Sequence, residues 1–302
     1  MKLALGTAQF GMPYGVSNAQ GQPSLDDIVA ILRVAAQANV RTLDTAPAYG
    51  VSESALGDAM RCLSNGPGCA DFDCITKTPR FARARLDADD ARTLRAAFET
   101  SLARLGVSQV GALLIHHADD LLTPGGECLF EEMLAIKAAG LARKIGVSVY
   151  TRAQIERVTD AFAIDLIQLP LNVMDQRLLA DDFLKGLNSQ GIELHARSIF
   201  LQGALLMPPE ALPDYFTPWR SSLRAYHAAI QAQGLSPLAG ALGFVQGVGA
   251  IDRIVCGVAA ASQLLEILAA YRDSARVSHG LDYAAFAVND DALVNPAHWP
   301  RF

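Results

Sequence analysis

The chain has 302 residues, 51% hydrophobic and 19% charged, which supplies a large core and excludes a disordered chain. Its 25 basic and 31 acidic residues give a net charge of −6 with no basic block, so nucleic acid and anionic membranes are poor partners. The five cysteines (Cys62, Cys69, Cys74, Cys128 and Cys256) contain no Cys-x-x-Cys pair and indicate neither a disulfide framework nor a zinc site.

Met1-Lys2-Leu3-Ala4-Leu5-Gly6 runs straight into a first strand (3–7) with no cleavable apolar segment, and no stretch reaches the roughly 18 apolar residues that cross a bilayer. A soluble protein of the reducing cytoplasm is the expectation. Ser24-Leu25-Asp26-Asp27 opens a helix with a capping-box pattern, and Ile28, Ile31, Leu32 and Ala35 recur at helical spacing behind it. Strands follow at 42–44 and 73–77. Asp89-Asp90 opens a helix with the apolar stripe Leu94, Ala97, Phe98, Leu102 and Leu105. Further strands read at 112–116, 144–148, 166–169, 193–197 and 253–257, with Thr151 capping the helix that carries Ile155 and Val158.

The seventh and eighth strands are separated by a Pro- and aromatic-rich loop (203–218) and two helices, about 221–233 and 237–247. Leu201, Leu205, Leu206, Met207, Tyr215, Phe216 and Trp219 suit an apolar loop at a binding mouth, and equally plain loop packing. A tail from 282 to 302 holds Tyr283, Phe286, Trp299 and Phe302. Eight strands alternating with helices predict an α/β chain folded as a single (β/α)8 TIM barrel with long rim loops, one domain spanning 1–302; an open doubly wound sheet would more often have fewer strands.

Three strands end in residues suited to carbonyl chemistry: Asp44, Lys77 and His116, spaced by 33 and 39 residues, about one strand–helix repeat each. Tyr49 follows Asp44 in Asp-Thr-Ala-Pro-Ala-Tyr-Gly. In a parallel barrel such strand ends meet on one rim. A lysine beside a tyrosine favours the phenolate and lowers a pKa that starts at about 10. Asp44 would keep Lys77 charged, and His116 would donate to a carbonyl oxygen. Alternation along the strand turns the adjacent His117 the other way. Singly, each has a plain reading (an ion pair, a scaffold histidine, a surface tyrosine); together on one rim they read as a site.

Leu5-Gly6-Thr7-Ala8-Gln9-Phe10-Gly11, Asp44-Thr45-Ala46-Pro47-Ala48-Tyr49-Gly50 with Ser52-Glu53 and Leu56-Gly57, Ile75-Thr76-Lys77 and Leu114-Ile115-His116 resemble the aldo-keto reductases. The likeness continues through Ile145-Gly146-Val147-Ser148, Ile167-Gln168 and Arg197-Ser198 to Val255-Cys256-Gly257. It implies an NAD(P)-dependent oxidoreductase interconverting an aldehyde or ketone and its alcohol, on a barrel that binds its nucleotide without a Rossmann domain. It implies Tyr49 as general acid, Asp44 and Lys77 as its tuning pair, and His116 as the carbonyl-orienting donor. Ser148 and Gln168 match positions that bond the nicotinamide carboxamide. Backbone amides near Arg197 and Ser198 match a pyrophosphate contact, with Phe200 a further candidate there, and Gly257, Gln263 and Glu266 match later cofactor positions.

Three departures stand out: Val149 replaces a frequent asparagine, Val258-Ala259-Ala260-Ala261 lacks the basic partner of a 2′-phosphate, and Ile267 replaces another asparagine. NADP is therefore the cofactor the likeness implies, with NAD the alternative. The partner is a small carbonyl or alcohol; the oligomeric state is not legible. Two other functions fit parts of the pattern: a weakly catalytic nucleotide-binding sensor or partner subunit, and a lyase using Lys77 as a Schiff-base nucleophile.

Overall fold

Strands that are apolar on both faces fold only where both faces are covered. In the computed structural model, which describes residues 1–18, 20–64, 71–274 and 281–300, eight such strands close into a parallel barrel in sequence order. They are β1 (Leu3–Gly6), β2 (Thr42–Asp44), β3 (Asp73–Lys77), β4 (Val110–Ile115), β5 (Ala142–Ser148), β6 (Leu166–Pro170), β7 (Glu193–Arg197) and β8 (Arg253–Gly257). All of β1, β2, β4 and β6 is buried. Closure comes from β1 lying between β2 and β8, with Gly6 opposite both Asp44 and Gly257. Asp44, Lys77, Ser148, Arg197 and Gly257 are therefore the last residues of neighbouring strands and share one rim.

Every expected strand is present, but β4 starts two residues early and stops at Ile115, so His116 belongs to the loop beyond it. The capping box at Ser24 forms as the sequence predicts, and Thr151 caps its helix as expected, in a box completed by Gln154. Asp89 and Asp90 fall in the first turn of the helix Ala88–Leu105, as expected; its N-cap is Asp87, which accepts from the Asp89 amide, while Asp90 accepts from the Asp87 amide. The two helices after β7 are Arg220–Ala232 and Pro237–Gly247. Their loop's larger rings pack on the tail: the Tyr215 hydroxyl donates to Ala292 O at 2.7 Å and the Trp219 indole to Asp290 at 3.0 Å. Cys69 and Phe302 lie outside the described residues.

The opposite end of the barrel carries a small polar cavity of about 120 Å³. There the Glu193 carboxylate accepts from His195 Nε2 at 2.7 Å and pairs with Lys144. The histidine bond, reinforced by Lys144 against the opposing effect of burial, pulls the Glu193 carboxyl down to about 2 from 4.5. A folded-state pKa below the unfolded value contributes stability that is present above about pH 4.5 and fades as pH falls toward 2. Glu193→Gln should therefore cost about 1–2 kcal/mol at pH 7, modest because the Lys144 side chain is half-exposed and its charge is screened by solvent. Urea unfolding at pH 7 and at pH 2.5 checks this; a penalty of equal size at both values contradicts it.

Candidate active site

A seven-residue loop from Asp44 to Gly50 must be pinned if Tyr49 is to face the barrel. Three hydroxyls on separate segments do this out of reach of solvent. Ser52 Oγ donates to Thr7 O at 2.7 Å and lies 2.9 Å from Thr7 Oγ1 and 3.1 Å from Thr45 Oγ1, while Thr7 Oγ1 bonds Asp44 O at 3.0 Å. Gly11 and Gly50 let the loop after β1 cross the Tyr49 turn. A Cβ on Gly11 would overlap the Tyr49 carbonyl, and one on Gly50, at φ +61°, would overlap the Gly11 carbonyl. No side chain larger than hydrogen fits either position.

Asp44 and Lys77 point from adjacent strand ends into the barrel mouth and are both buried. Lys77 Nζ lies 2.9 Å from each oxygen of Asp44 and 2.9 Å from Thr45 O. It also sits 5.0 Å from the centre of the Tyr49 ring. Burial alone would push the amine down; Asp44 and Tyr49 reverse this and hold it above its ordinary value. Lys77 is therefore a fixed positive charge.

Tyr49 corrects one expectation. Burial outweighs the pull of Lys77, and Asp44 adds to it, so the phenol is raised rather than lowered. The resting side chain carries its proton. His116 stands edge-to-face with Tyr49 at 5.8 Å, and its buried Nδ1 has no partner. Burial first, then the Lys77 charge, drives the imidazole down to about 2. It is neutral across the working pH range and keeps one N–H to donate.

These groups open on a cavity of about 740 Å³, within the range of roughly 300–1,000 Å³ typical of small-molecule sites. Tyr49, His116, Ser148, Gln168, Arg197, Ser198, Gly257, Gln263 and Glu266 all line it, as does Phe200. Gln168 is well suited to an amide ligand. Its Nε2 donates to Asp44 at 2.7 Å, which leaves Oε1 buried and unpartnered, an acceptor awaiting an N–H. Gln263 is partly committed, since its Oε1 accepts from the Ala259 amide at 2.7 Å. Gly257 leaves room for the Gln9 amide, which a Cβ would meet at 2.6 Å.

One expectation is corrected here. His117 does not turn away: β4 has ended, alternation no longer applies, and His117 stacks on His116 at 4.9 Å on the same cavity wall. Of the rim-loop residues, Leu206 and Met207 line the cavity, whereas Leu201, Leu205 and Phe216 are in the core. The sequence reading missed Gln9, Tyr14, Tyr150 and Gln202 on the cavity wall. A run of left-handed residues, Ser198 (φ 57°), Leu201 (φ 48°) and Gln202 (φ 52°), is a structural mark of a site that no residue pattern announced.

No helix among the described residues is long and apolar enough to cross a membrane, and none of their His, Cys, Asp and Glu side chains cluster as metal ligands. Among solved structures, the chain is similar to aldo-keto reductase AKR11C1 from Bacillus halodurans (TM-score 0.69, 17% identity, 92% of this chain and 91% of that one). It is likewise similar to the glycerol dehydrogenase AKR11B4 from Gluconobacter oxydans (TM-score 0.66, 23% identity, 93% and 94%). Among curated proteins, it is 29% identical over 189 residues to the uncharacterized oxidoreductase YtbE of Bacillus subtilis, spanning 61% of this chain and 62% of that one. The match thus covers less than two thirds of that relative's length. The profile of the aldo/keto reductase family runs from residue 2 to 288, through all eight strands, and the chain belongs to that family.

Proposed function

We propose that residues 1–302 act as one barrel domain that interconverts a small aldehyde or ketone and its alcohol with a nicotinamide dinucleotide, in the reducing cytoplasm. The observation that carries this reading is the buried Lys77 ammonium paired with Asp44 and 5.0 Å from the centre of the Tyr49 ring, with neutral His116 across the same mouth. When bound, the nicotinamide supplies the hydride. Everything else belongs to this chain.

His116 donates its N–H to the substrate oxygen and fixes the carbonyl beside Tyr49. As negative charge develops on that oxygen, Tyr49 gives up its proton, and Lys77 stabilises the phenolate left behind. Asp44 keeps Lys77 charged and oriented throughout. Ser148 and the free Oε1 of Gln168 would hold the carboxamide, and backbone amides at Arg197 and Ser198 would hold the pyrophosphate. Gly257, Gln263 and Glu266 line the far end. An amine with two carboxylate bonds and a carbonyl bond has no lone pair for a Schiff base, which argues against the lyase reading.

Among the described residues, no lysine or arginine after β8 lines the cavity, and the one acid there, Glu266, opposes a 2′-phosphate. NADH should bind at least about ten-fold more tightly than NADPH, a difference of roughly 1.4 kcal/mol. Parallel titrations following protein fluorescence, then a carbonyl panel with the tighter nucleotide, test both parts. Tighter NADPH binding overturns the preference; binding of neither nucleotide removes the hydride source and the reading with it.

A further inference from the structure

A half-buried guanidinium without a carboxylate is costly to keep, and Arg197 is one. It is the last residue of β7 and the only lysine or arginine among the described residues that line the large cavity. Its side chain is braced rather than paired. Nη2 donates to Val149 O at 3.0 Å, Nη1 to Ser198 Oγ at 3.2 Å, and the guanidinium carbon lies 4.3 Å over the Tyr150 ring. It forms no ion pair with any described carboxylate, and of the two acids that line the cavity Asp44 is already held by Lys77 and Gln168.

Five N–H donors minus the two bonds made leave most of the fork free toward the cavity. Tyr14, Tyr49, His116 and His117 line the same cavity, and the Arg197 charge lowers the pKa of each of them. Stacking on Tyr150 removes the rotamer freedom that an exposed arginine would lose on binding. A stiff, unpaired fork beside a proton donor and a carbonyl-orienting imidazole is a receptor for an anion on the reacting molecule.

Resting on the reductase reading above, we infer that Arg197 recognises a carboxylate or phosphate carried by the substrate close to its reacting carbonyl. The same fork chemistry would also suit the nucleotide pyrophosphate, so the experiment separates the two sources.

The holoenzyme is assayed with matched pairs that differ only in the anion: benzoylformate and its methyl ester, succinic semialdehyde and methyl 4-oxobutanoate, glyceraldehyde 3-phosphate and glyceraldehyde. The wild type should favour the anionic member of at least one pair ten-fold or more in kcat/KM. Arg197→Met, which keeps an apolar stem against Tyr150, should erase that ratio by raising KM for the anion, and Arg197→Lys should restore part of it. Nucleotide dissociation constants are measured on the same variants. If Arg197→Met lowers both members of each pair equally while weakening nucleotide binding to match, the guanidinium serves the pyrophosphate and the inference falls. If the wild type favours the neutral members, or reduces no anion, it also falls, while the reductase reading stands as long as a nucleotide binds and any neutral carbonyl is turned over.

Discussion

Tyr49→Phe should lower kcat for carbonyl reduction by about 10²–10⁴-fold, the span that a positioned general acid contributes. The substitution removes one oxygen and no packing surface, so nucleotide binding should change little. The pH profile adds a second reading. Because burial raises the Tyr49 phenol, the free enzyme holds its proton through neutrality, and reduction should fall only on the alkaline side. Because the His116 imidazole is held down to about 2, no acid limb near 6.5 should interrupt the plateau from pH 5 to 8. Single-turnover rates at saturating nucleotide separate chemistry from product release. A phenylalanine variant keeping more than a tenth of the wild-type single-turnover rate would rule out the proposed proton donor.

The strand ends were legible because apolar runs closing in one polar residue are a local pattern, and a parallel barrel carries every such end to the same rim. Asp44, Lys77 and His116 were found in that way, whereas Gln168 came from the family likeness. What escaped depends on facts that no local window contains. His117 was turned outward by a rule of alternation that holds only inside a strand, and β4 stops at Ile115. Asp89 and Asp90 do open their helix, but its cap Asp87 was not singled out, because three acids stand close together in the sequence and only the backbone shows that Asp87 is the extended one (φ −148°). Thr7, Thr45 and Ser52 are ordinary hydroxyl residues on three segments; the crossing of two loops at Gly11 and Gly50 turns them into a clamp. The direction of the Tyr49 shift was misjudged for a related reason. A sequence shows which charge stands near a phenol, while the burial that outweighs it belongs to the fold.

Lys77→Met should destabilise the protein by about 3–5 kcal/mol, because it strands the Asp44 carboxylate in a buried site with only Gln168 to bond it. Asp44→Asn should cost a comparable amount: burial, no longer opposed by a carboxylate, then drives the Lys77 amine toward its neutral form. Each variant should also lose most of its activity, one lacking the charge that eases proton release and the other lacking the group that maintains it. Stability and catalysis part company in the double variant. With both charges gone, nothing ionised is left unpaired, so Asp44→Asn with Lys77→Met should be more stable than the sum of the single losses allows, by about 1–3 kcal/mol. It should remain inactive, since Tyr49 would keep its burial without the Lys77 cation that most opposes it. Urea unfolding of the four proteins, read beside single-turnover rates, closes this cycle. Additive losses would mean that the two side chains do not act as a pair, and recovery of activity in the double variant would mean that the buried cation is dispensable for proton transfer.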